Sequence, residues 1–543
     1  MTIAVPDGAA EPYETAEEQV RGRRMRVFRH RRRRLGELVE ASARFGDREY
    51  LVFPGRRLTY AEHHRAVAGT ARTLRDRYGI GPGSRVAILA ANSPEWMVTF
   101  WAVVHLGGVV IALNAWWAGD EIDYALGDAD PVLLVADRKR LDRLATAPSC
   151  PVLELETVLT EVEAQTQAEG EDGSDAPFGG VPLADVNEDD PVVVLYTSGT
   201  SGRPKGAVHS HRNILAQLQV QASLATGGTG AGPPARIFST SPFFHVSGLH
   251  GGAVARLASG ATFVGYEGRF DAVTVMETIE RERCTAWSAV PTVVWRVVHH
   301  PGADRHDLSS MARINGGGSS WSPALQDRMR EVFGPDLVIG VGYGSTECTA
   351  WATIATSPGD LVAHPTTVGR PVATVDVEVR GPEGEALPDG EEGEIYVRSP
   401  LVMLGYWRND EASAATVDSG GWLRMGDLGT FRDGLLFLSS RRSDLILRGG
   451  ENVYPAEIEN RLEAHPGVAE CVVMGVPHEE LGQEVAAVVV LRDGASVTAG
   501  DLSDHVGAHL ARFKVPSHWT IRTGPLPRTA SGKVIRADVH PGE

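Results

Sequence analysis

The chain has 543 residues, and a hydrophobic content of 42% is enough to build a sizeable core, which excludes wholesale disorder. Its 52 Lys and Arg against 70 Asp and Glu give a formal net charge of −18, which argues against a general nucleic-acid binder, and no apolar run reaches the roughly 18 to 20 residues that a membrane-spanning helix needs. The first residues lack a basic flank followed by an apolar stretch, and the four cysteines are dispersed, so we expect a cytoplasmic protein without a secretory signal, disulfide framework or structural zinc.

The N-terminal segment is unusual in its charge. Residues 1–20 are polar and acidic, which predicts a frayed end, and residues 21–34 (RGRRMRVFRHRRRR) carry nine arginines. Because charge runs usually lie on solvated faces, we predict a solvent-exposed basic helix over 21–34. Docking to an acidic surface, such as anionic lipid or a protein partner, is the alternative.

From there to about residue 160, strand and helix patterns alternate. Residues 86–90 (VAILA), 109–113 (VVIAL) and 130–137 (DPVLLVAD) are typical of buried strands, and residues 96–108 of a helix that ends in glycine. This alternation predicts parallel sheets with helices on both faces. Residues 164–190, rich in Glu, Asp, Gly and Pro, indicate a surface loop.

A second α/β stretch runs from residue 191 to about 365, short β runs dominate to about 440, and a mixed pattern follows. We therefore predict the α/β class. Residues 1–440 would form a large N-terminal domain with two α/β sheets and a small β-rich subdomain. Residues 441–445 would form a hinge, and residues 446–543 a small, mobile α+β C-terminal domain.

The loop after the strand PVVVLY is the strongest local signal. It is rich in glycine and hydroxyl side chains: Thr197, Ser198, Gly199, Thr200 and Ser201. Glycines let backbone amides converge on an anion, hydroxyls add donors, and Lys205 adds charge. A flexible turn is the alternative, but it has little use for these hydroxyls or for one of only four lysines in the chain. We predict a phosphate-binding loop.

The segment YTSGTSGRPKG (196–206) closely resembles the signature of the adenylate-forming superfamily, which comprises acyl-CoA synthetases, peptide-synthetase adenylation domains and luciferases. The resemblance covers about residues 45–535, recurs at several motifs in the family's order, and is strongest to bacterial AMP-forming fatty-acid or aryl-acid CoA ligases. It implies an active site between a large N-terminal domain and a small mobile C-terminal domain, with ATP, Mg²⁺ and coenzyme A.

Further motifs resemble the family's nucleotide site. In YGSTE the resemblance implies that Tyr343 and Gly344 contact adenine, that Thr346 contacts a phosphate, and that Glu347 is a Mg²⁺ ligand, for which a hard carboxylate oxygen is suited. Upstream, Gly318, Ser319 and Ser320 fall in a segment that lines the adenine and the acid, although relatives usually have alanine and proline at the last two positions.

The resemblance also implies contacts to the ribose. Asp427 falls where a carboxylate can accept hydrogen bonds from both ribose hydroxyls, and Arg441 falls at a ribose and phosphate contact. Ser443 is the expected hinge residue, where relatives usually have Asp or Lys, and Gly449 and Gly450 would let a thiol arm pass close to the backbone.

Two further residues complete the implied site. Lys533 resembles the catalytic lysine that bridges the acid and ATP in the first half-reaction. His245 falls in the wall of the acid pocket. Peptide-synthetase domains carry an aspartate in this region to hold an amino group, so the sequence HVS (245–247) favours a simple carboxylic acid over an α-amino acid.

The implied function is an ATP-dependent acid–CoA ligase. It would activate a fatty or aromatic acid as acyl-AMP with release of pyrophosphate, then transfer the acyl group to coenzyme A with release of AMP. Adenylation of another small acid, such as nitrite, and transfer to an amine are alternatives. A non-enzymatic binding module is disfavoured because Lys533, Glu347, Asp427 and Arg441 are all present. The oligomeric state stays open, with a homodimer as one candidate.

Overall fold

A computed structural model describes the chain except for a set of residues spread along it: 1, 10, 161–176, 198–203, 226–234, 269, 318–320, 357, 442–443, 449–450, 479–480, 511, 530–533 and 543. Within the described part, the strands form four sheets, and helices cover their faces. No helix there is long and apolar enough to cross a bilayer. The mixed α/β architecture confirms the predicted fold class.

The first α/β unit is built on a seven-stranded sheet. Its strands, in spatial order, are Gly405–Tyr406, Lys205–Ser210, Pro191–Thr197, Val109–Ala112, Arg85–Leu89, Leu133–Ala136 and Val152–Glu154. The last five are parallel to one another, whereas Lys205–Ser210 runs antiparallel to both of its neighbours. The strands predicted around residues 86–90, 109–113 and 130–137 are thus confirmed.

The second unit is a thirteen-stranded sheet. Its strands, in spatial order, are Asp376–Arg380, Glu392–Arg398, Trp422–Arg432, Leu435–Arg441, Thr367–Pro371, Thr353–Ala355, Val338–Tyr343, Arg313–Gly317, Ala286–Ser288, Arg236–Ser239, Thr262–Gly265, Glu49–Phe53 and Arg56–Thr59. The strands from Val338–Tyr343 to Glu49–Phe53 are parallel, and the β-rich strands continue this sheet antiparallel through Thr367–Pro371. The β-rich region therefore extends the second α/β sheet.

The C-terminal residues form a five-stranded sheet. Glu451–Val453, Ile446–Arg448, Gly482–Leu491 and Val468–His478 follow in this order, with His518–Arg522 beside Gly482–Leu491. This sheet has its own apolar core, to which Ile458, Leu462 and Val489 contribute. All of its strands lie after residue 445, the end of the predicted hinge.

The α-helices are Glu37–Ser42, Tyr60–Tyr78, Pro94–His105, Gly119–Ala129, Arg138–Leu141, His211–Ala225, Val246–Gly248, Ala255–Ser259, Ala272–Glu282, Pro291–Val298, Pro323–Phe333, Pro358–Ala363, Asp410–Thr416, Pro455–Glu463 and Ala499–Gly507. A π-helical turn covers Leu249–Val254, and 3₁₀ turns cover Ala43–Phe45, Pro177–Gly180, Ala303–Arg305, Thr346–Cys348, Arg512–Lys514 and Arg536–Asp538.

Local sequence signals explain where the long helices begin. Thr59 and Glu62 form a capping box before Tyr60–Tyr78, while Ser93 caps Pro94–His105, whose first residue is a proline with its φ already helical. Both helices are packed between the two large sheets, and every residue of Pro94–His105 is buried. The helix predicted at 96–108 is confirmed, displaced by two or three residues.

The prediction for the N-terminus is wrong. Thr15–Val20 and Arg23–Phe28 pair as an antiparallel hairpin, so residues 15–20 are ordered and the arginine-rich segment begins as a strand. Met25 and Val27 point inward and alternate with exposed Arg24 and Arg26, so the period is two. The density of arginines hid this alternation in the sequence. Most of their charges are paired with carboxylates, as at buried Arg31, which contacts Glu18 and Glu188.

Candidate active site

The predicted phosphate loop joins two paired strands. Pro191–Thr197 and Lys205–Ser210 are antiparallel, with Thr197 opposite Lys205, and the Thr197 hydroxyl contacts the Lys205 carbonyl at 3.4 Å. Ser198, Gly199, Thr200 and Ser201 lie outside the described residues. The register therefore places Lys205 opposite Thr197, the last described residue before the predicted loop.

Tyr406 lies between Lys205 and Glu347 at the start of the strand Lys205–Ser210. The Tyr406 hydroxyl donates a hydrogen bond of 2.8 Å to Glu347 Oε1, and the Lys205 ammonium lies 5.4 Å from the centre of the Tyr406 ring. Burial, together with the Glu347 carboxylate, raises the pKa of Tyr406, which keeps its hydroxyl protonated as a donor. Tyr406 reaches this position because Gly405–Tyr406 pairs with Lys205–Ser210.

The turn that carries Glu347 is anchored through its backbone. Thr346 and Glu347 begin the 3₁₀ turn after the strand Val338–Tyr343. The Glu347 carbonyl accepts from the Met403 amide at 2.9 Å, and the Thr346 carbonyl accepts from His209 Nε2 at 2.7 Å. Met403 lies just before the edge strand Gly405–Tyr406, and His209 lies on the neighbouring strand Lys205–Ser210, so two adjacent segments hold the turn and orient both predicted site residues.

His209 is part of a buried histidine pair. Because the Thr346 carbonyl can only accept, neutral His209 carries its proton on Nε2, so Nδ1 must accept from His250 Nε2, which lies 2.9 Å away. Burial lowers the pKa of His209 to about 4 and that of His250 well below its usual value. The pair is therefore neutral at pH 7 and acts as a fixed donor chain behind Thr346.

Tyr343 and Asp427, the predicted adenine and ribose contacts, lie against each other. The Tyr343 hydroxyl donates to Asp427 Oδ2 at 2.8 Å, joining the end of the strand Val338–Tyr343 to the strand Trp422–Arg432. Asp427 stands opposite Arg441 in the antiparallel register. Any Cβ at Gly344 would overlap the Ala350 carbonyl oxygen, so glycine is required next to Tyr343.

His245 lies on the same sheet edge but in a separate cluster. The strands Arg236–Ser239 and Val338–Tyr343 are parallel, and His245 and Glu347 each follow the carboxyl end of one of them. Side chains that follow parallel strands at this end face one crevice. Burial lowers the pKa of His245 to about 4, so the ring is neutral, and it contacts Phe244, which packs edge-on against Trp116. Trp116 is 41% exposed.

Glu347 fits a magnesium ion only in combination with a nucleotide. Among the described residues, no group of three or more His, Cys, Asp or Glu side chains could surround a metal. Mg²⁺ commonly binds through one or two carboxylates plus substrate phosphates and water. Glu347 is oriented by Tyr406, whose ring lies 5.4 Å from the Lys205 ammonium, and has the hard oxygen chemistry for this mode.

The other predicted site residues carry no side-chain geometry. Gly318, Ser319, Ser320, Ser443, Gly449, Gly450 and Lys533 lie outside the described part, and Arg441 is described only by its backbone. Their roles stay predictions.

The sequence interpretation missed Tyr406, His209 and His250. Each acts through a long-range contact, and no local motif marks them. For His209 the sequence held one weak indication. It lies four residues after Lys205 on the same strand, and the structure buries it completely.

Comparisons with known proteins match this architecture. A family model described as AMP-binding enzyme matches residues 38–407, and one described as AMP-binding enzyme C-terminal domain matches residues 457–533. A feruloyl-CoA synthase from Amycolatopsis sp is 34% identical over 496 residues, which cover 89% of this chain and 94% of that protein.

Two solved structures share the fold over nearly the whole chain. The o-succinylbenzoate CoA synthetase from Bacillus subtilis, in complex with its acyl-adenylate intermediate, is 28% identical with a TM-score of 0.78, covering 93% of this chain and 99% of that one. An amide bond synthetase from Marinactinospora thermotolerans is 32% identical with a TM-score of 0.78, covering 93% and 98%.

Proposed function

Since the chain belongs to the AMP-binding enzyme family, we propose that it is an ATP-dependent acid–CoA ligase that works through an acyl-adenylate. The observation that carries the proposal is the convergence of Lys205, Tyr406 and Glu347 beside the phosphate loop, together with the Tyr343–Asp427 contact. Lys205 and Glu347 can hold phosphates and their metal ion, and Tyr343 with Asp427 can hold a nucleoside.

The first half-reaction joins the acid to AMP. A carboxylate oxygen attacks the α-phosphorus of ATP, a new P–O bond forms, and the bond to pyrophosphate breaks. Lys205 stabilises charge on the phosphates and Glu347 holds Mg²⁺, which when bound neutralises part of the charge on the phosphoryl oxygens. Tyr343 and Asp427 hold the adenosine, and Lys533 bridges the acid and the nucleotide.

The second half-reaction transfers the acyl group. The sulfur of coenzyme A attacks the acyl carbon and AMP leaves, so no covalent enzyme intermediate is required. Rotation of residues 446–543 about Ser443 would exchange Lys533 for Gly449 and Gly450, which let the thiol arm approach. In this mechanism, residues 1–440 and residues 446–543 are separate domains.

The proposed acid substrate carries an apolar group next to its carboxylate. Trp116, Phe244 and neutral His245 offer aromatic surface without a charge, which suits an aromatic ring or a fatty chain and gives no counter-ion for an α-amino group. A cytoplasmic location and a homodimeric state are further expectations for this enzyme.

ATP–pyrophosphate exchange with a panel of acids tests the proposal. We expect at least one of three acids to support exchange: ferulate, o-succinylbenzoate or a medium-chain fatty acid. When coenzyme A is then added, a thioester and AMP should form in equal amounts. Failure of every acid to support exchange would refute adenylation. The second candidate is amide formation, favoured by the 32% identity to an amide bond synthetase. It predicts AMP release that depends on an added amine and is indifferent to coenzyme A.

A further inference from the structure

The tip of the N-terminal hairpin reaches the backbone that holds Glu347. Arg21 and Gly22 form the two-residue turn between the strands Thr15–Val20 and Arg23–Phe28, with φ of 49° and 77°, as in a type I′ turn. From this turn the Arg21 guanidinium donates to the carbonyls of Met403 (Nη1, 3.1 Å) and Val402 (Nη2, 3.1 Å). Both contacts span more than 380 residues of sequence.

Residues 400–407, here called the bridging segment, connect the two sides of the candidate active site. On one side, its Leu404 and Trp407 amides donate to the carbonyls of Val208 and Gly206, on the strand that starts with Lys205. These bonds are 2.8 and 2.7 Å long and fix the bridging segment beside the phosphate loop.

On the other side, the bridging segment holds the turn of Glu347. The Met403 amide donates to the Glu347 carbonyl at 2.9 Å, Leu401 accepts from the Thr349 hydroxyl at 2.6 Å, and Tyr406 donates to the Glu347 carboxylate. Met403 therefore contacts Arg21 through its carbonyl and Glu347 through its amide.

The hairpin itself is firmly held, so Arg21 has a fixed base. Arg23 donates to the carbonyls of Ser419 and Asp418, Arg26 pairs with Asp376, and buried Arg31 bonds both Glu18 and Glu188. A guanidinium on such a base presents its donors in a fixed plane, unlike the ammonium of a flexible lysine.

We propose that Arg21 is a positioning residue for the binding of magnesium-bound ATP, acting through the bridging segment on Glu347. The proposal rests on the proposed function. The hairpin precedes residue 38, where the family match begins, and so lies outside the matched region. Arg21 touches no reacting atom. Its bond to the Val402 carbonyl polarises the Val402–Met403 peptide, whose N–H donates to the Glu347 carbonyl, and its bond to the Met403 carbonyl fixes the next peptide.

The test compares Arg21→Ala and Arg21→Lys with Arg24→Ala. Arg24 is the matched control because it lies on the same hairpin and pairs with Glu17 at the surface. Binding of ATP is titrated calorimetrically with saturating Mg²⁺ and again in EDTA, without any acid. We expect Arg21→Ala to raise the Kd for magnesium-bound ATP about tenfold, Arg21→Lys to raise it less, and Arg24→Ala to leave it unchanged.

A double-mutant cycle with Glu347→Gln separates positioning from general loosening. If Arg21 acts through Glu347, Arg21→Ala should add little in the Glu347→Gln background. An equal loss of affinity in both backgrounds would overturn the proposal, as would an unchanged Kd in folded Arg21→Ala. If Arg21→Ala does not fold, Arg21→Lys must show the same coupling or the proposal fails.

Hydrogen exchange keeps this test independent of the proposed function. In the ligand-free chain, Arg21→Ala should speed amide exchange in 400–407 and also in 345–349, whereas Arg24→Ala should not. If amide exchange becomes faster only in 400–407, Arg21 does not act on Glu347 and the proposal is wrong. Failure of the wild-type chain to bind magnesium-bound ATP would refute the proposed function, while the exchange result would still decide whether Arg21 supports the turn.

Discussion

Glu463 provides a prediction whose size follows from the structure. It ends the helix Pro455–Glu463 of the C-terminal region and contacts Ser322, which caps the helix Pro323–Phe333 of the large N-terminal region. Burial raises the pKa of Glu463 to about 7, the Ser322 hydroxyl opposes the rise, and nearby Glu459 and Glu470 add to it. Ionising Glu463 in this buried position costs free energy. We expect Glu463→Gln to remove that cost, since glutamine keeps the shape and can still hydrogen-bond to Ser322.

The sign and size of the effect depend on pH. Because the folded pKa lies above the unfolded value of 4.5, the folded protein holds the extra proton between about pH 4.5 and 7. Stability therefore falls as pH rises through this window. Below this pH window the folded protein loses no stability from Glu463. Above the window the loss of stability is complete, at most about 3 kcal/mol for a difference of about 2.5 pH units. Glu463→Gln should stabilise the protein at pH 8 and hardly at pH 5.

Urea unfolding at pH 5, 6.5 and 8, followed by probes of the C-terminal region, measures this effect. Glu277→Gln is the matched control, because Glu277 is exposed on the helix Ala272–Glu282 and its neutralisation removes a solvated charge. The gain from Glu463→Gln should grow with pH, while that from Glu277→Gln should stay small throughout. A gain for Glu463→Gln that does not change with pH would refute the reasoning.

Three further variants test the site. Tyr406→Phe removes a hydrogen bond to a carboxylate, which corresponds to about 1.5–3 kcal/mol, so it should raise the Mg²⁺ needed for ATP–pyrophosphate exchange; an unchanged magnesium titration would contradict the Glu347 contact. Asp427→Ala leaves the Tyr343 hydroxyl without this acceptor and should raise the KM for ATP about tenfold or more, and an equal KM would remove Asp427 from the nucleotide site. Lys533→Ala should abolish adenylation yet spare thiolysis of a supplied acyl adenylate, whereas equal loss of both half-reactions would argue against its role.

The fold was largely predictable because the local signals agree with tertiary packing. The apolar runs at 86–90 and 109–113 are short, uninterrupted and β-branched, and they become central parallel strands buried on both faces. The helix Pro94–His105 combines a Ser93 cap, a first-turn proline and a terminal glycine pair. The N-terminal hairpin was not predicted because only Arg24 and Arg26 alternate with buried Met25 and Val27, and the nine arginines of residues 21–34 hid that short alternation.

The candidate site was predictable only where one segment carries several functional groups. Thr197 and Lys205 are framed by a strand pair, and Tyr343 to Glu347 follow a strand end, so local sequence was sufficient to mark them. The partners of these groups come from elsewhere: Tyr406 is 59 residues from Glu347, and Asp427 is 84 residues from Tyr343. No periodicity encodes such contacts, because they depend on how sheets are ordered.

The orientation of Glu347 illustrates why the motif alone does not define the site. Its carboxylate is set by Tyr406, its carbonyl by Met403, and the preceding carbonyl by His209, so two segments distant in sequence, residues 400–407 and the strand of His209, fix one short turn. A carboxylate that is to hold a metal ion would bind it less tightly if its backbone could rotate, because ordering that backbone would then cost entropy on binding. In the proposed site, the YGSTE motif would supply the metal ligand, and the surrounding, motif-free residues would determine where that ligand points.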